Sequence, residues 1–234
     1  MPSGLPASAP HPEGHQPIAL GRWRTRNVFA SPGCCSQQVT QAGEEVDVTA
    51  DGIAFQLLDG RQAAPHAEEL QALHAEVRAD LPYGGPDDAA LFAGRFLVQR
   101  RQPGFVLAEA RRGGYLVGYG SGMPLRPATS WWRDLTTPLP DEVTAEHPGR
   151  TFALTDLLVR ASWRRQGIGQ GLHDLILASR AEERATLTVL PAATPAQNAF
   201  RTWGWRKVAR TRGAGPGSQV SDVLVAALPY PQIS

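Results

Sequence analysis

Apolar and polar positions change rhythm several times along the chain, and each change predicts an element. Ile53, Phe55 and Leu57 recur at every second position, the period of a half-buried strand, and Asp59-Gly60 ends that run. Ala67, Leu70, Leu73, His74 and Val77 then hold helical spacing until Pro82-Tyr83-Gly84-Gly85 breaks it. Asp87 can cap a second helix whose apolar face takes in Leu91, Phe92, Phe96 and Leu97. Phe105–Ala110 and Tyr115–Gly120 flank a glycine-bearing turn at Arg111–Gly114, which reads as a hairpin. Segment 124–150 is rich in proline and too long for a plain turn, so it reads as a lid-like loop or a loop holding a short helix.

The second half is the more regular. Phe152–Val159 is the most strand-like apolar run, and Ile168, Leu172, Leu175, Ile176 and Ser179 follow at helical spacing. Thr186–Leu190 reads as a short buried strand. Ala196, Ala199, Phe200 and Trp203 share one helical face, with Gly204 placed to end the helix. Strands over about 205–211 and 219–228 close the chain. Strands come early, in the middle and late with helices between them, which predicts an α/β (α+β) sheet without internal repeats.

Composition narrows the function classes. The chain has 234 residues, enough for one domain, and 42% hydrophobic against 19% charged residues excludes a wholly disordered chain. A net charge of +1 removes the electrostatic case for nucleic acid or a membrane surface, and no run of apolar residues is long enough to span a bilayer. Lys207 is the only lysine, and with abundant Ala, Gly and Pro this reads as the codon bias of a GC-rich bacterial genome. Residues 1–45 carry six prolines and no periodicity, which predicts a flexible leader ahead of a domain at 46–234. Cys34 and Cys35, adjacent and alone, fit neither a metal set nor a disulfide framework, so they read as incidental thiols of a cytoplasmic protein.

The chemistry is concentrated where the strand at 152–159 leads into Arg164-Arg165-Gln166-Gly167-Ile168-Gly169-Gln170-Gly171 and a helix. Three glycines let backbone N–H groups converge, and the helix start adds unpaired donors and a partial positive charge, so the loop suits phosphate or pyrophosphate. A dinucleotide fingerprint would need a glycine where Leu172 stands, and a P-loop would need a Gly-Lys pair that is absent.

The loop resembles the R/Q-x-x-G-x-G/A signature of the GNAT acetyltransferases, with Arg164, Gly167 and Gly169 in register. Phe200-Arg201-Thr202-Trp203-Gly204-Trp205 is similar to that family's downstream Tyr-x-x-x-Gly-Phe block, and the resemblance covers about 52–228. It implies a GNAT-type, mostly antiparallel sheet of six to seven strands, splayed between the fourth and fifth, with about four helices. It also implies acetyl-CoA as co-substrate and no metal. The pyrophosphate would lie on Arg164–Gly171, with Ile168 and Gln170 among its contacts, and the pantetheine arm would pair with Leu157, Leu158 and Val159. Asn198 lies near the position of an asparagine that often opens the downstream block.

The resemblance makes Asp156 the candidate base, with Glu109 second; on the residues alone Asp156 is equally a polar residue on the solvent side of its strand. The family's acid tyrosine aligns with Phe200, which has no proton to give, and Tyr83, Tyr119 and Thr202 are possible substitutes. Tyr83, Trp131 and Trp132 are candidate acceptor contacts, the two tryptophans equally readable as core under the 124–150 loop. His173 reads as a solvent-facing helix residue. The implied activity is N-acetylation of a small-molecule amine by direct transfer. The alternative is a GNAT-fold module that binds acyl-CoA with little turnover, because position 200 is Phe. Neither nucleic acid nor membrane is an expected partner; a homodimer stays open.

Overall fold

The computed structural model describes residues 47–48, 52–81, 88–212 and 219–229. The expected leader, Cys34, Cys35, Tyr83 and Asp87 lie outside these residues. In chain order the elements are β1 (Asp47–Val48), β2 (Ile53–Asp59), α1 (Ala67–Ala79), α2 (Asp88–Gln99), β3 (Val106–Arg112) and β4 (Tyr115–Pro124). They continue with α3 (Asp141–Thr144), β5 (Thr151–Val159), α4 (Ile168–Ala178), β6 (Arg184–Val189), α5 (Thr194–Thr202), β7 (Arg206–Arg212) and β8 (Val220–Ala227). The strands form one sheet in the order β1-β2-β3-β4-β5-β6-β8-β7, antiparallel everywhere except between β5 and β6. The expected mixed, mostly antiparallel sheet is therefore present: among the described residues it has seven full strands plus the two-residue β1, with α3 as a fifth, one-turn helix inside the 124–150 loop.

Two layers of side chains hold the sheet. Because successive strand residues face opposite sides, Ile53, Phe55, Ala108, Ala110, Phe152 and Leu154 meet Leu172, Ile176 and Leu177 of α4 on one face. On the other face Leu58, Leu107, Leu116 and Tyr119 pack under α1 and α2. Helix α4 sits close against β4 because β4 offers glycines there. A Cβ on Gly118 would stand 3.3 Å from Leu172 Cδ1, and one on Gly120 would stand 2.9 Å from Ile176 Cδ1. On α2 the expected apolar face is narrower than its sequence suggests. Phe92 and Phe96 are buried, but Leu91 is 68% and Leu97 46% exposed.

The opening in the sheet lies between β5 and β6. They pair only through Thr151–Ala153 and Arg184–Thr186, and beyond those residues they part. On the other side of β5 the register with β4 slips by one residue, Ser121 facing Asp156 and Gly122 facing Leu154, so Thr155 is an extra, bulged residue. A bulge bends its strand, and this one lies just past the point where β5 and β6 stop pairing. Counting full strands, these are the fourth and fifth, where the splay was expected.

Candidate active site

Helix α4 begins just past the free end of β5. Its N-cap, Gly167, has φ +79° and Arg165 has φ +66°, so the chain makes a tight left-handed entry that suits glycine at 167. The first helical hydrogen bond runs from Gly171 N to Gly167 O at 2.9 Å, so the N–H groups of Ile168, Gly169 and Gln170 precede it and lack helical partners. The three glycines have different jobs. A Cβ on Gly169 would meet only Val159 and Trp203, at 3.8 Å or more, so this position stays open for another reason than crowding. Gly171 is small because Phe55 lies against it, 2.7 Å from where a Cβ would be. Its N–H is spent inside the helix, which corrects the expectation that all three glycines aim donors at one point. Arg164, Arg165 and Gln166 are exposed at the rim; Arg164 Nε donates to Val159 O at 3.0 Å and Gln166 Nε2 to Ser162 O.

A cleft of about 700 Å³ starts in the gap between β5 and β6 and continues across the sheet to α1 and α2. Thr155–Leu158 form one wall in the gap, and Thr188–Leu190, Ala193 and Ala196 form the other. His74, Arg78, Leu81, Leu91, Phe92 and Arg95 line the part under the two helices. Along Leu157–Val159 the backbone pairs with a strand on the β4 side only, and apart from Val159 O, which accepts from Arg164, the other side is open to an extended ligand arm.

Asp156 sits at the bend of this cleft. Its side chain is only 7% exposed, which corrects the solvent-side reading of that residue. Oδ1 accepts a hydrogen bond from Arg95 Nη2 at 2.6 Å, and Oδ2 accepts one from Ser121 Oγ at 3.1 Å. Close by, the fully buried Tyr119 hydroxyl shares a 2.8 Å hydrogen bond with His74 Nδ1, and the His74 ring stacks on Phe92 at 4.5 Å. Burial, and after it the negative charge of Asp156, push the Tyr119 phenol well above the ordinary tyrosine range, so it keeps its proton.

Other candidates fall elsewhere. Glu109 is fully buried, held by His66 Nδ1 at 2.6 Å and Arg111 Nε at 2.8 Å, and does not line the cleft. Phe200 packs edge-on against Trp203 and Trp205, with centroids 5.5 and 5.8 Å away, one helical turn beyond the cleft wall at Ala196. Asn198 lies on the exposed side of α5, its Oδ1 accepting from Arg201 at 3.3 Å; its neighbour Gln197 turns inward to Leu190 O. Thr202 spends its hydroxyl on Asn198 O. Trp131 and Trp132 are packed outside the cleft around Leu125, Ala153, Ala209 and Val223, their indole N–H groups donating to Thr186 Oγ1 and Glu146 Oε1. His173 is fully buried rather than solvent-facing: Trp205 Nε1 donates to its Nε2 at 2.9 Å, and Nδ1 lies 2.7 Å from Asp174.

His74, Arg95 and Ser121 were not legible as site residues. His74 was visible as a polar interruption of an apolar helix face, the one available signal. Nothing in the sequence told which way Arg95 turns, because its neighbours Leu91 and Leu97 pointed to the wrong face. Among the described residues no cluster of His, Cys, Asp or Glu could hold a metal ion, and no helix is long and apolar enough to cross a membrane.

Residues 68–205 match the family model described as the acetyltransferase (GNAT) family. No curated protein matches the sequence. Among solved structures, Arabidopsis thaliana NAA60 in complex with acetyl-CoA is similar at TM-score 0.53 and 17% identity, over 75% of this chain and 98% of that one. An acetyltransferase of the GNAT family from Streptococcus pneumoniae is similar at TM-score 0.52 and 13% identity, over 75% and 99%. An aminoglycoside 6'-N-acetyltransferase complexed with coenzyme A gives TM-score 0.50 and 15% identity, over 76% and 99%.

Proposed function

The chain belongs to the acetyltransferase (GNAT) family, and on that premise we propose that it transfers an acetyl group directly from acetyl-CoA to the amine of a small molecule. One observation carries the reading: β5 and β6 part after Ala153, and the free edge of β5 leads straight to the donor-bearing start of α4. The residues present fit the co-substrate. Backbone groups of Leu157, Leu158 and Val159 would hold its extended arm as an added strand, and Ile168, Gly169 and Gln170 would hold its pyrophosphate with Arg164 and Arg165 at the rim. Two of the three structural neighbours named above carry acetyl-CoA or coenzyme A, which supports the same reading.

Acetyl-CoA, when bound, supplies an acetyl carbon already activated as a thioester. The acceptor nitrogen bonds to that carbon as the carbon–sulfur bond breaks. Asp156, the one carboxylate among the described residues on the cleft wall, takes the proton that nitrogen loses. Among the described residues Phe200 has no proton to give, Tyr119 is sealed behind His74 and Thr202 donates to Asn198, so the sulfur takes its proton from water entering the cleft. A backbone N–H along Leu157–Val159 would polarise the thioester carbonyl. A cytoplasmic location in a bacterium belongs to the same proposal.

Phe200 favours a second reading, an acyl-CoA-binding module with little turnover. Free-thiol release from acetyl-CoA across a panel of amines, run beside calorimetry of coenzyme A, separates the two. Amine-dependent release supports the enzyme. Binding without release supports the module, and neither binding nor release overturns both.

A further inference from the structure

Resting on the acetyltransferase reading, we infer that the acceptor is a free α-amino acid with an apolar side chain, its ammonium group read by Asp156 and its carboxylate by Arg95. These two residues form an ion pair across the acceptor half of the cleft, from α2 to β5, at 2.6 Å. The partners differ in freedom. The Asp156 side chain is 7% exposed and is fixed by Ser121, whereas the Arg95 side chain is 42% exposed and comes from a helix surface. Arg95 can therefore swing aside while Asp156 stays.

Charge decides which ligand can open the pair. A simple ammonium ion that took Asp156 would leave the Arg95 guanidinium without its carboxylate, in a cleft that Arg78 also lines. Arg95 is 42% exposed, so water makes up part of that loss, and the selection rests chiefly on what the ligand offers the guanidinium in return. A zwitterion replaces both partners at once: its ammonium reaches Asp156, which takes one proton and frees the nitrogen to attack, the second N–H proton passing to water as the C–N bond forms, and its carboxylate takes over Arg95, for which guanidinium is a geometric match. Beside His74 and Arg78, this part of the cleft is lined by Leu81, Leu91 and Phe92, which are positioned for a hydrocarbon side chain. A polyamine or aminoglycoside would instead meet arginines, and a peptide N-terminus would present an uncharged amide to Arg95.

The test compares L-phenylalanine with phenethylamine and L-phenylalaninamide, and L-leucine with isopentylamine, as acceptors with acetyl-CoA. The expected result is a kcat/KM for each amino acid at least about tenfold above its carboxylate-free partners, mostly through KM, as befits loss of a charge-assisted hydrogen bond. Arg95→Gln should collapse that ratio toward one, and Arg95→Lys should retain part of it. Equal use of phenethylamine or phenylalaninamide by the wild type, or a ratio unchanged in Arg95→Gln, overturns the inference and leaves acetyl transfer standing. If coenzyme A binds but no amine is acetylated, the acetyltransferase reading falls. Calorimetry of L-phenylalanine on the coenzyme A-loaded protein then decides recognition. Binding that Arg95→Gln abolishes upholds the pair as an amino-acid site, and no binding overturns it.

Discussion

Asp156 and Phe200 carry most of the chemical interpretation, and the structure treats them differently. Asp156 is held by Ser121 and Arg95 at the bulge of β5, where a proton acceptor would meet an acceptor nitrogen. Phe200 is 7% exposed and wedged among Trp203 and Trp205, one turn past the cleft wall. Phe200→Tyr should cost about 1–3 kcal/mol, since the ring still fits but its new hydroxyl enters a buried site beside two tryptophans. If protonation of the leaving sulfur limits turnover, thiol release rises in this variant. Unchanged release alongside normal coenzyme A binding would mean that solvent already protonates the thiolate fast enough. Residue types were readable in advance at this scale, but burial and pairing were not. The sequence pattern put His173 on a solvent face, because a polar residue between Leu172 and Asp174 gives no hint of the Trp205 indole that covers it.

At the scale of elements, the strand–loop–helix from β5 to α4 is the unit that makes the site. It was legible because strand period, glycine spacing and helix period follow one another without interruption between 152 and 180. The splay itself followed only from the family resemblance. Nothing local in Thr151–Val159 announces that Ala153 is the last residue paired with β6. The unit also makes a direct prediction. Gly169 has ordinary backbone angles and space for a side chain, with Val159 Cγ2 3.8 Å from an added Cβ. Gly169→Asp should therefore leave the melting temperature within a few degrees of wild type. It should weaken coenzyme A binding by tenfold or more, because a carboxylate then faces the phosphates at the helix start. Calorimetry with unchanged affinity would remove the phosphate-binding role from this loop.

Across the whole molecule, the second half of the sheet is tied together by one carboxylate. Asp222 on β8 meets Lys207 Nζ at 2.6 Å and Arg210 Nε at 3.0 Å, both on β7, and Gln197 Nε2 of α5 at 3.1 Å. Partial burial raises its pKa, but hydrogen bonds from Lys207, Arg210 and Gln197 and the charge of Lys207 outweigh that and leave it below the ordinary aspartate range. Glu182, beside Arg180, is lowered in the same way. Such groups stabilise the fold fully above the unfolded carboxylate pKa of about 4 and lose that contribution as pH falls through the lower, folded value. The melting temperature should thus be nearly flat from about pH 7 to 5 and fall below about pH 4. Asp222→Asn should melt lower at neutral pH and show a shallower acid limb; an equally steep limb would assign the acid loss to other carboxylates. All of this scaffolding serves a cleft in which Asp156 is expected to take a proton from an amine. Mass spectrometry of an amino-acid acceptor incubated with acetyl-CoA and either wild-type protein or Asp156→Asn tests that most directly. The predicted result is an acceptor heavier by one acetyl group with the wild type, formed about 10²–10⁴-fold more slowly by Asp156→Asn at unchanged coenzyme A affinity. Acetyl transfer at the same rate in both proteins would contradict the role of Asp156. No acetylated amine with a wild type that binds coenzyme A would contradict the enzyme itself.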